Sequence, residues 1–159
     1  VSVSLREIAL NNAFSPARRQ LLCALPLAVI APPGRADAGA LAAVVAKDSK
    51  APAKLSADEL SAIFLGTAKS FPNGEKAVPI DQKAGTETYS SFYQRIAGKN
   101  DAQMRAYWSR IMFTGKGQPP QEVGDGATVK KLVAANPNMV GYIEAALVDT
   151  SVRVIAEVK

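Results

Sequence analysis

Asp81-Gln82-Lys83-Ala84-Gly85-Thr86 is the segment whose residue types could hold a charged solute. It lies between the strand-like run Val78-Pro79-Ile80 and a helical pattern. In an α/β sheet, a turn of this kind aims free backbone N–H groups at the crevice beyond the strand's carboxyl end, where an anion can sit. Gly85 and Thr86 would offer backbone and hydroxyl donors, and Lys83 a positive group. The plainer alternative is that Thr86 only caps the helix and Lys83 only faces water. The local sequence leaves both open.

A second candidate is Phe113-Thr114-Gly115-Lys116-Gly117-Gln118-Pro119-Pro120. It matches only the end of a phosphate loop. The spacing G-x-x-x-x-G-K-[ST] is not met, so no nucleotide site is expected. Its glycines and prolines make a shaped loop, which serves either as a partner surface or as an ordered crossover. Thr114 and Lys116 are its candidate ligand contacts.

Other chemistry is thinly represented. The chain has no histidine, and so lacks the commonest general base and metal ligand. Asp58-Glu59 fall in the first turn of a helix, where carboxylates complement the helix dipole. Ser90-Ser91 have no serine-hydrolase pattern around them. No enzyme activity, cofactor or metal is expected.

The elements that must position these residues can be read from caps and periodicity. Leu41 to Ala46 is a continuous apolar run, as in a central strand covered on both faces. Leu55-Ser56-Ala57-Asp58-Glu59-Leu60 combines an N-cap serine, a capping-box glutamate and a Leu55–Leu60 staple, so a helix starts there and ends at Gly66. Val78 to Ile80 is a short strand whose Pro79 favours an edge or a bulge. Thr88 to Ala97 places Tyr89, Phe92, Tyr93 and Ile96 at helical spacing, as core residues, with Gly98 as C-cap. Asn100 or Asp101 caps a third helix, in which Met104, Tyr107, Trp108, Ile111 and Met112 form a face expected to be buried. Asp125 begins a fourth, with Val129, Leu132 and Val133 inward, ended by Asn136-Pro137. Met139 to Ala146 and Ser151 to Val158 supply the final strands.

Residues 1–38 read differently. Arg18-Arg19, the apolar run Leu21 to Ala31 and the small-x-small Ala36-Asp37-Ala38 are the parts of a secretory signal peptide, with cleavage expected after Ala38. The apolar run is too short for a bilayer core of about 30 Å. The chain's single cysteine, Cys23, lies in this run, which removes disulfides and thiolate chemistry from residues 39–159. Of 19 basic and 14 acidic residues, Arg6, Arg18, Arg19, Arg35, Glu7 and Asp37 fall before the cleavage point, leaving 15 against 12, a net +3. The basic residues form no stripe or arm, so no nucleic acid is expected as partner.

Leu55 to Gly66, the Phe71-Pro72-Asn73-Gly74 turn, Gly85-Thr86, Ser90-Ser91-Phe92-Tyr93-Gln94-Arg95-Ile96, Ala106-Tyr107-Trp108, Phe113 to Gly117 and Asn136 to Ile143 together resemble the C-terminal half of phosphate-binding periplasmic receptors of ABC transporters, in particular short single-domain relatives. The resemblance covers Leu41 to Val154. It implies an α/β fold: a single periplasmic-binding-protein-like lobe with a mixed, mostly parallel sheet flanked by helices, spanning residues 39–159. It also implies an exported, periplasmic solute-binding protein for a small oxyanion such as phosphate, with an ABC transporter membrane component or another envelope protein as partner. In those receptors the turn matching Ala84-Gly85-Thr86 carries Ser-Gly-Thr preceded by Arg and Asp. Here alanine replaces the serine, and no arginine lies nearby to supply a bidentate guanidinium. One lobe also leaves the cleft open. The alternative from another class is a one-lobed envelope interaction module that has lost its solute.

Overall fold

Leu41–Ala46 forms strand β1, and every one of its six residues is buried. In the computed structural model, which describes residues 39–159, odd and even positions of this strand serve opposite faces of one sheet. Leu41, Ala43 and Val45 join a large core with the first three helices, whereas Ala42 and Val44 join a smaller one under the fourth. Burial on both faces is what the unbroken apolar run requires. The expected signal segment, its cleavage point and Cys23 lie outside the described residues.

The remaining elements are α1 (Ala57–Phe64), β2 (Val78–Asp81), α2 (Glu87–Ala97), α3 (Asp101–Phe113), β3 (Gln121–Glu122), α4 (Gly126–Ala135), β4 (Met139–Glu144), a 3₁₀ turn (Ala145–Leu147) and β5 (Val152–Val158). The sheet order is β3-β2-β4-β1-β5. β2 runs parallel to β3 and β4, while β1 runs antiparallel to β4 and β5. The sheet is therefore mixed as expected, but its parallel share is smaller than expected. β1 is an interior strand that opposes both neighbours, and its pairings are longer than those of β2.

The helix caps are as the sequence dictates. Ser56 Oγ accepts from the Glu59 N–H, and the Glu59 carboxylate accepts in return from the Ser56 N–H at 2.8 Å. Asn100 and Gln103 make the same reciprocal pair at the start of α3. Phe64, Phe92 and Tyr142 form the centre of the larger core, with Phe92 stacked on Tyr142 at 3.6 Å. α4 lies close to the sheet because Gly141 is a glycine: a β-carbon there would collide with Val129 Cγ1.

Three expectations are corrected. Pro79 sits on an interior strand, not an edge. The Val78 N–H faces β4 and the Asp81 carbonyl faces the β3 side, so by alternation Pro79 also faces β3, whose pairing begins only at Ile80. Its missing N–H thus falls where no neighbour is present. The apolar face of α3 is buried at Met104 and at Trp108, which packs on Gly66, and half-buried against the core at Tyr107 and Ile111. Met112 is 50% exposed and Phe113 94% exposed, since the last turn of α3 borders a solvent-open groove that Met112 lines with Gly117 and Pro119, and not the core. The run Met139 to Ala146 leaves the sheet at Glu144, where the chain turns into the 3₁₀ segment.

Candidate functional site at the carboxyl ends of two strands

β2 ends on a carboxylate that the core encloses. Asp81 is 3% exposed, and its Oδ1 and Oδ2 accept from the hydroxyls of Tyr142 at 2.5 Å and Tyr93 at 2.6 Å. Gln82, equally buried, donates its side-chain amide to the Tyr142 carbonyl at 3.0 Å. Burial raises the Asp81 carboxyl from its ordinary 3.8 to about 6, and the charge of Glu122 adds to this, while the two tyrosine hydroxyls oppose it. In turn burial and the Asp81 charge push both tyrosines upward. Tyr89, near the same acids, is pushed up to about 12, chiefly by burial. The network fixes the end of β2 and so the position from which the next turn departs.

That turn is exposed at Lys83, Ala84 and Gly85, and Gly85 takes a left-handed φ of 82°. Thr86 is the N-cap of α2: its hydroxyl accepts from the Tyr89 N–H at 3.3 Å and donates to the Lys83 carbonyl at 2.9 Å. The Lys83 N–H donates to Gly124, tying the turn to the segment before α4. The N–H groups of Ala84, Gly85, Glu87 and Thr88 have no partner among the described residues. They are open donors at a helix N-terminus that follows Lys83 in the chain, an arrangement that can receive an anion.

A carboxylate already lies close by. Glu144, the last residue of β4, accepts from the Thr88 hydroxyl at 2.7 Å. Its other oxygen is 2.6 Å from where a β-carbon on Gly126, the first residue of α4, would stand.

Thr114 and Lys116 are placed elsewhere. They follow the C-terminal end of α3, where carbonyls rather than N–H groups are in excess. Thr114 Oγ1 donates back to the Arg110 and Ile111 carbonyls, and both residues are exposed. Beside them runs a groove of about 870 Å³ lined by Met112, Gly117, Pro119 and Glu122. Among the described residues, no group of three or more His, Cys, Asp or Glu is arranged to hold a metal ion.

The geometry has relatives among solved structures. A protein of Clostridium perfringens assigned as a phosphate ABC transporter substrate-binding protein, with bound phosphate, is 19% identical, with a TM-score of 0.58 over 72% of this chain and 43% of its own. An ABC-type phosphate transport receptor of Vibrio cholerae is 22% identical, with a TM-score of 0.56 over 72% and 44%. PstS of Borrelia burgdorferi is 16% identical, with a TM-score of 0.53 over 74% and 46%. This chain has the fold of one receptor lobe. It spans less than half the length of the receptors it matches, and at these identities the likeness is one of fold. No protein-family model and no curated protein matches it.

On that lobe, Lys83, Gly85 and Thr86 share one turn, and Thr114 and Lys116 share another. Sequence reasoning included Asp81 in the candidate segment without a role of its own, read Tyr93 only as core, and passed over Tyr142 and Glu144. Tyr93 falls on the apolar stripe of α2, and nothing local marks its hydroxyl as the partner of a residue twelve positions earlier. A usable signal was Asp81-Gln82 at the end of a buried strand, since two polar residues there need partners.

Proposed function

We infer that the chain is an exported, periplasmic solute-binding protein of receptor-lobe fold that holds a small oxyanion such as phosphate at the start of α2. The single observation that carries this reading is the set of four open N–H donors, of Ala84, Gly85, Glu87 and Thr88, in the turn that follows Lys83. Lys83 supplies charge, Gly85 presents backbone, and Thr86 holds the turn by capping α2. Thr114 and Lys116 form a separate contact surface, suited to a transporter membrane component or another envelope protein. The affinity of the turn is low, because the ion pair is exposed and contributes about 0–1 kcal/mol. No step of chemistry is assigned to the protein.

A second reading, a one-lobed interaction module without a solute, is favoured by the inward use of the Thr86 hydroxyl and by alanine at position 84. Thermal unfolding with and without millimolar phosphate or sulfate separates the two, since a ligand that binds the native state raises its stability. The receptor reading expects a rise in melting temperature that Lys83→Ala diminishes and Thr86→Ala removes. No rise with either anion supports the module.

A further inference from the structure

We propose that Glu144 is a built-in carboxylate occupant of the anion-receptive end of this lobe, so that a solute oxyanion at the start of α2 binds in competition with it. This rests on the receptor reading in taking the carboxyl ends of β2 and β4 as the solute side. The Glu144 carboxylate touches the first turns of two helices. Oε1 accepts from the Thr88 hydroxyl in α2 at 2.7 Å, and Oε2 lies against the Gly126 backbone at the start of α4. Gln82 Nε2 is 3.4 Å from the same β-carbon position on Gly126. Glycine at position 126 makes this approach possible, since any side chain there would collide with the carboxylate.

Helix N-termini carry partial positive charge, and a carboxylate placed at two of them is stabilised there. The salt bridges of the described residues do not include Glu144, so the helix starts, the threonine hydroxyl and the neighbouring amide are its polar surroundings. An oxyanion approaching Lys83–Thr86 therefore meets a helix start whose potential is already partly neutralised by the like charge of Glu144, bonded at Thr88 in the first turn of the same helix. Glutamine at position 144 would keep the bond from Thr88 and remove the charge. Alanine would vacate the position.

The test is calorimetric titration of inorganic phosphate into the full chain as wild type and as Glu144→Gln, with thermal unfolding of Glu144→Ala in acetate and in phosphate. Near-UV circular dichroism establishes that each variant is folded. Removing one like charge near the bound anion is expected to tighten phosphate binding about tenfold in Glu144→Gln. Acetate is expected to raise the melting temperature of Glu144→Ala while leaving wild type unmoved. Unchanged or weaker binding in Glu144→Gln, with no acetate response in folded Glu144→Ala, overturns the proposal. Where wild type binds phosphate in that case, the receptor reading still stands. Binding in Glu144→Gln with none in wild type upholds the role of Glu144 and removes the natural chain as a phosphate receptor.

Discussion

The end of β2 and the last turn of α3 each carry candidate ligand residues, and they are built in opposite ways. At β2, a buried carboxylate, two tyrosine hydroxyls and a buried amide satisfy one another and hold rigid the point from which Lys83-Ala84-Gly85-Thr86 leaves the sheet. At α3, the loop hangs from a helix C-terminus, its threonine hydroxyl is spent on its own helix, and its apolar neighbours Met112 and Phe113 face solvent. The difference shows where the fold places open donors. Strand carboxyl ends and helix N-termini bring N–H groups together, whereas a helix C-terminus brings carbonyls, and a lysine beside it has no donors to act with.

The contrast breaks first under pH. The Asp81 carboxyl titrates at about 6 in the native state against 3.8 in its absence, so the native state binds the proton more tightly. The stability this group contributes is fully present well below pH 3.8 and is lost as pH rises through 6. Asp81→Asn holds the neutral form throughout. Denaturant unfolding at pH 4 and pH 7 should show the wild type losing roughly 2–3 kcal/mol relative to the variant over that interval. Parallel curves for the two proteins would mean that Asp81 is not enclosed as described.

Next in size is Tyr142→Phe, which strips the Oδ1 bond from the buried carboxylate and should cost about 2 kcal/mol at neutral pH. Phe113→Ser, on the other region, removes a ring that packs on nothing and should change stability by less than about 0.5 kcal/mol. Equal losses at the two positions would erase the distinction between a fixed and a free region. The smallest effect separates the two threonines. Thr86→Ala removes an N-cap and should cost about 1 kcal/mol, whereas Thr114→Ala, at a C-cap where the hydroxyl only returns to carbonyls, should cost a few tenths.

The local grammar of the fold was legible. Ser56 with Glu59, Asn100 or Asp101, Asp125, and Gly98 mark helix ends by chemistry that acts within four residues, and the run Leu41 to Ala46 marks a doubly covered strand by burial alone. What could not be read depended on distance in the chain. β3 is two residues long and exists only because Asp81 and Gln121-Glu122 meet. The exposure of Met112, on the groove beyond the core, is likewise not encoded by any periodicity within α3. The turn Lys83–Thr86 was found from its position between strand and helix. Its supporting network was not, because Tyr93 and Tyr142 look like core residues until Asp81 is placed beside them. Glu144 reads only as an interior residue of a strand until Thr88 and Gly126 are brought to it.

The most direct test of the account is a phosphate titration of the uniformly nitrogen-15-labelled protein followed by amide chemical shifts. Saturable shifts concentrated at Ala84, Gly85, Glu87 and Thr88, with Thr114 to Gly117 unmoved, are the predicted result. Shifts confined to the α3 loop, or none at either turn at millimolar phosphate, would contradict it.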